Sequence, residues 1–178
     1  MSHPAAKWLT AALVLALAQG ACIEGASARS SDRNQPMDID AGQQKGSLDD
    51  RTPTVLSGGV TIVQGTLNVA ANQAVITTAG GDISRAVLSG RPAKLRQQLD
   101  DGTPMSAAAN QIDYNLRTEI VVFTGNVSIQ QPRGSLSGER VVYNMKTGDV
   151  TSGGPGNGRV KMRIQPKGAP ATPPQGGG

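Results

Sequence analysis

The sequence predicts an all-β protein, a solenoid of about sixteen short strands stacked as repeats around a continuous apolar interior. Three observations predict it. Apolar residues recur with period two through the body of the chain, the spacing of a strand with one dry face and one wet face. Similar segments return at intervals of 30, 38 and 31 residues, the mark of a repeat architecture. Glycine is abundant, at 23 of 178 residues, and it clusters as turn punctuation between the alternating pieces. A helical period is not sustained anywhere beyond the N-terminal segment.

The first element is an address. Lys7 precedes the uncharged run Trp8–Ala18, and a bilayer span needs about 20 apolar residues, so this run is too short to remain as an anchor. It has the form of a secretory signal, residues 1–28, with cleavage after Ala26-Ser27-Ala28 and a mature chain starting at Arg29. Ala16-Leu17-Ala18 is a second small-x-small site, and lipidation at Cys22 is the rival, disfavoured by Gln19 where lipoprotein signals usually carry Leu. Residues 29–34 are expected to be loose, residues 35–165 to form the β domain, and the Pro/Gly-rich tail 166–178 to be disordered. No second long apolar run follows, which predicts an exported, soluble protein.

Four segments open the repeats: Pro36–Gln43, Thr66–Ile76, Pro104–Tyr114 and Ser135–Tyr143. The first three are each followed by a second shared piece, at Leu56–Gln64, Leu88–Gln97 and Phe123–Gln131, with a looser counterpart at Gly158–Gln165. Inside the pieces the alternation is regular. Met37, Ile39 and Ala41 flank Asp38 and Asp40; Ile112, Tyr114 and Leu116 alternate with Asp113 and Asn115; Val160, Met162 and Ile164 alternate with Arg159, Lys161 and Arg163. Gly58-Gly59, Gly80-Gly81, Asp101-Gly102, Gly125-Asn126 and Thr147-Gly148 separate them. One repeat cannot bury its apolar face alone, so stacked copies share one interior and leave two ends.

Composition excludes much chemistry. The single His, Cys and Trp are His3, Cys22 and Trp8, all before Arg29. The mature chain therefore lacks the residues for Ser-His-Asp or Cys-His catalysis, for His or Cys zinc sites and for disulfides. We expect no enzyme, no cofactor and no metal. Three aromatics remain, Tyr114, Phe123 and Tyr143, too few and scattered for a base-stacking platform, so no nucleic-acid partner is expected. The net charge of +4 suits an anionic partner or an ordinary soluble surface. Asp38 and Asp40 share one strand face, facing either a partner's basic edge or solvent. Asp49-Asp50 and Asp100-Asp101 sit in turn-like contexts. Arg159, Lys161 and Arg163 form a basic row, and Lys94 and Arg96 a shorter one with Arg91 nearby; such rows meet phosphates or guard an edge strand. Gly153–Gly158 lacks the Lys-Ser/Thr of a phosphate loop.

Gln35–Ala41, Leu56–Leu67, Ile120–Gln131 (I-V-V-F-T-G-N-V-S-I-Q-Q) and Gly134–Tyr143 together resemble the periplasmic lipopolysaccharide-export bridge family, the LptA/OstA-like proteins. The resemblance spans nearly all of the chain between signal and tail. It implies a twisted β-jellyroll of stacked antiparallel strands, open at both ends, whose interior carries the acyl chains of lipopolysaccharide. It also implies end-to-end copies joining an anchored inner-membrane export partner to an outer-membrane one. Met37, Ile39, Leu95, Tyr114 and Leu116 fall at positions that face lipid in the family, and Ile112 lies on the same apolar face. Met37, Met105, Met145 and Met162 either adapt to varied acyl chains or fill core gaps. The first strand carries Asp38 and Asp40 and the last Arg159, Lys161 and Arg163, a charge match for a head-to-tail homo-oligomer. The alternatives are a β-solenoid adaptor that binds proteins or glycans without lipid, and a Ser hydrolase, for which no nucleophile motif exists.

Overall fold

Alternating apolar residues make strands because each one exposes one row of side chains and buries the next. The computed structural model describes residues 30–47, 52–153 and 158–166. Among them are a 3-10 turn, η1 (Ser30–Asn34), and the strands β1 (Met37–Lys45), β2 (Thr54–Gln64), β3 (Leu67–Ala79), β4 (Asp82–Gln98), β5 (Pro104–Asn115), β6 (Ile120–Gln131), β7 (Gly134–Asn144), β8 (Val150–Ser152) and β9 (Lys161–Ile164). Consecutive strands pair antiparallel in the order β1 to β8, and β9 returns to pair with β7. The signal and cleavage expected at 1–28, the turn at Asp49-Asp50 and most of the tail at 166–178 fall outside the described residues.

The repeats are hairpins. The four openings lie in β1, β3, β5 and β7, and the second shared pieces lie in β2, β4 and β6. The fourth counterpart, Gly158–Gln165, holds β9, which pairs with Gly134–Ser137, while β8 pairs with Val141–Tyr143, so two short strands share the edge of β7. The last strand begins at Lys161, leaving Arg159 ahead of it rather than in its basic row.

The expected count of about sixteen strands is corrected to nine among the described residues. The missing breaks are bulges. All pairings from β1·β2 to β6·β7 shift register near mid-strand, at Ala41/Gln43, Ser57/Val60, Ala70/Gln73, Ser89/Ala93, Ala108/Gln111 and Thr124/Val127. A bulge bends and twists a strand without ending its pairing. Two short apolar pieces thus become two arms of one bent strand, and the sheet folds into two leaves. The first leaf holds Met37–Ala41, Val60–Gln64, Leu67–Ala70, Ala93–Gln98, Pro104–Ala108, Val127–Gln131, the start of β7 and β9. The second holds the other arms and β8. At the corner the backbones come close: a Cβ on Gly42 would lie 2.8 Å from the Gly58 carbonyl oxygen, and Gly58 itself has φ +80°.

One apolar cluster fills the space between the leaves, including Val69, Leu95, Ala107 and Ile129 from the first and Ile76, Ile112, Val121 and Phe123 from the second. The segment 29–34, expected to be loose, contains the docked turn η1. Asp32 is buried and accepts a hydrogen bond from the Thr66 hydroxyl at 2.5 Å, beside the β2–β3 turn. Arg33 pairs with Glu119, in the β5–β6 turn, at 2.5 Å. Gln64 Nε2 donates to the Gln35 carbonyl at 3.1 Å. These polar contacts hold Ser30–Asn34 against the sheet. η1 thereby joins the free lips of the two leaves.

Candidate functional site

The candidate site is the interior between the leaves and the two ends of the sheet. Pairing aligns the inner residues into rows. In the first leaf Val69, Leu95, Ala107, Ile129 and Leu136 stand side by side. In the second, Ile76, Ala86, Tyr114, Val121 and Tyr143 do so. Direct cross-strand neighbours share a face, so each row is a continuous apolar band.

The six residues expected inside occupy that face at different depths. Leu95 and Ile112 are buried in the cluster. Met37, Tyr114 and Leu116 are half-buried and pack against it. Ile39 pairs with buried Ile62 but is itself 38% exposed, because β1 has no further strand beside it. Asp38 and Asp40 lie on the outer face and are exposed. Asp113 also points outward, where Arg85 Nε donates to its carboxylate at 2.8 Å; this hydrogen bond and the charge of Asp113 raise the Arg85 pKa.

The opposite end exposes apolar side chains as well. Met162 is 65% and Ile164 73% exposed, on the inner face opposite Leu136 and Gly134, while Lys161 and Arg163 point outward. Ile129, Leu136, Val150, Met162 and Ile164 line a cavity of about 240 Å³ there, with Arg133 and Arg163 at its rim. Asp100-Asp101 forms the expected turn: Gly102 N–H donates to the Leu99 carbonyl at 2.9 Å and Thr103 N–H to the Asp101 carboxylate at 2.8 Å. Met105 and Met145 are buried in the cluster.

Two interior polar residues went unmarked at the level of sequence. Gln97 occupies the apolar phase of Ala93, Leu95, Gln97 and Leu99, and is buried. Tyr143 follows Val141 in phase; burial, with the charge of Asp100 adding to it, pushes its phenol up to about 12. Tyr114 is also raised, by burial, with Arg33 opposing the shift and Glu119 adding to it. The readable signal was a polar group in a position whose neighbours two residues away are apolar.

A bent, unclosed antiparallel sheet of hairpin repeats is shared with known proteins. Residues 38–149 match the family described as LptA/(LptD N-terminal domain) LPS transport protein. The chain belongs to this family. It is 34% identical over 136 residues to the lipopolysaccharide export system protein LptA of Escherichia coli K12, covering 75% of this chain and 73% of that one. It is 31% identical over 145 residues to LptA of Haemophilus influenzae, covering 79% and 83%. Among solved structures it resembles LptH of Pseudomonas aeruginosa, titled the LptA-homologous periplasmic component of the lipopolysaccharide transport device. The TM-score is 0.68 at 25% identity, over 76% of this chain and 99% of the other.

Proposed function

We propose that this chain is a non-enzymatic periplasmic protein that binds lipopolysaccharide between its leaves. It passes the lipid along a head-to-tail row of copies joining an inner-membrane export complex to an outer-membrane one. The observation that carries the reading is the apolar band that runs between the leaves and surfaces at both ends, at Ile39 on β1 and at Met162 and Ile164 on β9. A protein needing only a core would cover both ends with polar residues; large exposed apolar residues mark an interaction site. Family membership supports the transport role. Acyl chains enter by parting the lips and displacing flexible side chains such as Met37, Met105 and Leu116.

The ends suit each other. The outer rows of the first leaf start at Asp38 and Asp40 on β1 and finish at Arg163 and Lys161 on β9. A following copy's β1, added beside the C-terminal edge, would set carboxylates against cations while its backbone extends the sheet. The test is site-specific photo-crosslinking in cells. A crosslinker at Ile39 or Leu116 captures lipopolysaccharide, and one at Asp38 or Asp113 does not. Equal capture at both pairs would sink the interior-binding reading.

A further inference from the structure

We propose that Gln97 and Tyr143 form a polar subsite inside the apolar interior that recognises a hydroxyl group carried on an acyl chain; this rests on the lipid-binding reading above. Gln97 is 4% and Tyr143 3% exposed. Among the described residues, neither the Gln97 Oε1 nor the Tyr143 hydroxyl has a hydrogen-bond partner. Buried polar atoms in native proteins are nearly always partnered, and each exception calls for a reason. Here two exceptions fall in the same compartment.

Pairing places them there. Gln97 stands beside Met105 and two residues beyond Leu95, on the inner row nearest the lip of the first leaf. Tyr143 stands beside Val121, on the inner row nearest the lip of the second. The leaves pack on one shared cluster that contains Leu95, Met105 and Tyr143, so both rows border the same interior. The β4–β5 turn that follows Gln97 lies on the Tyr143 side: Asp100, three residues after Gln97, is near enough for its charge to act on the Tyr143 phenol. The surroundings are otherwise apolar, with Leu99, Met105 and Met145 buried alongside.

The chemistry of the pair is specific. The amide oxygen accepts only, and the phenol both donates and accepts. Its raised pKa keeps it protonated through the neutral range. A ligand hydroxyl donates to Gln97 Oε1 and accepts from the Tyr143 O–H, satisfying both groups at once. An unsubstituted methylene chain satisfies neither. A site built to hydrogen-bond a hydroxyl discriminates against the analogue lacking it, because its own polar groups are then left unpaired. The position fits an amphiphile lying along the interior: the lip lies close to where a polar head leaves the protein, so the recognised hydroxyl lies near the head end of the chain.

The experiment compares binding of 3-hydroxytetradecanoic acid and tetradecanoic acid to the purified protein, by displacement of a fluorescent fatty acid. The wild type is expected to bind the hydroxy acid roughly five- to tenfold tighter, the size of one or two net hydrogen bonds. Tyr143→Phe and Gln97→Met each reduce that ratio toward one. Tyr143→Phe melts no lower than the wild type, since it removes an unpartnered group. Equal binding of the two acids by the wild type overturns the subsite and leaves the lipid reading standing. Binding of neither acid overturns both. A clear loss of melting temperature in Tyr143→Phe shows that the phenol is already satisfied in the free protein, and that also overturns the subsite.

Discussion

Asp32 and Arg33 are adjacent, and both tie η1 to the lips of the sheet, yet their contributions differ by environment. Asp32 is buried and its carboxylate accepts from Thr66 Oγ1, whose oxygen in turn accepts from Gln98 N–H at 3.1 Å. Asp32→Ala breaks that chain inside the protein and is expected to cost about 1–3 kcal/mol, read as a lower urea midpoint. Arg33 and Glu119 are partly exposed, so Arg33→Ala should cost about 0–1 kcal/mol, less at high salt. Tyr143 supplies a pH signature. Its folded pKa, about 12, lies above the ordinary value of 10.0, so the folded state holds the phenolic proton more tightly. Above pH about 10 the unfolded chain binds fewer protons than the folded one, and stability falls as pH rises from there toward 12. Tyr143→Phe should flatten the decline in denaturation midpoints over that window. An unchanged slope would mean that the phenol is not shielded in the fold.

At the scale of elements, the corner and the last strand make opposite predictions. Gly58 combines φ +80° with the Gly42 Cα only 3.2 Å from an added Cβ, whereas Gly80, in the β3–β4 turn, has φ +68° and open space where a Cβ would be added. Gly80→Ala should cost only the left-handed backbone term, about 1–2 kcal/mol. Gly58→Ala adds crowding of the bend and should cost about 2–4 kcal/mol, visible as a larger fall in melting temperature. Strand β9 is different. All four of its residues are exposed, and it is held by pairing with Gly134–Ser137. Deleting residues 158–165 should therefore leave far-UV circular dichroism nearly unchanged and lower the melting temperature by only a few degrees. Its larger effect should be on association, because it bears the apolar and basic groups of the C-terminal end.

For the whole molecule, a sheet that never closes has two unlike ends, and contact between unlike ends builds open rods rather than closed rings. Sedimentation velocity should show concentration-dependent oligomers that shorten on removal of residues 158–165. Lys161→Glu alone should weaken them slightly at physiological salt and more at low salt, since exposed pairs contribute about 0–1 kcal/mol each. In such oligomers backbone pairing and the exposed Ile39, Met162 and Ile164 should supply the rest. A protein that stays monomeric at every concentration, and pairs with neither membrane complex, would leave a soluble carrier in place of a bridge.

The alternation of Met37, Ile39 and Ala41, and of Ile112 and Tyr114, was enough to set strands and their inner faces, because period two depends only on the geometry of one extended chain. The returning segments were likewise enough to show a repeat and, with its glycine-rich turns, a family. Where the strands ended was a different matter. Gly58-Gly59 and Gly125-Asn126 read as breaks between strands, but neighbours on both sides held the pairing through them and turned each into a bend. The docking of η1 likewise depends on Thr66 and Glu119, far from Asp32 and Arg33 along the chain. The placement of Gln97 and Tyr143 on inner rows of the two leaves was decided in the same way. A local pattern records which face a residue takes, while the partner it meets across the interior is set only when the sheet folds back on itself.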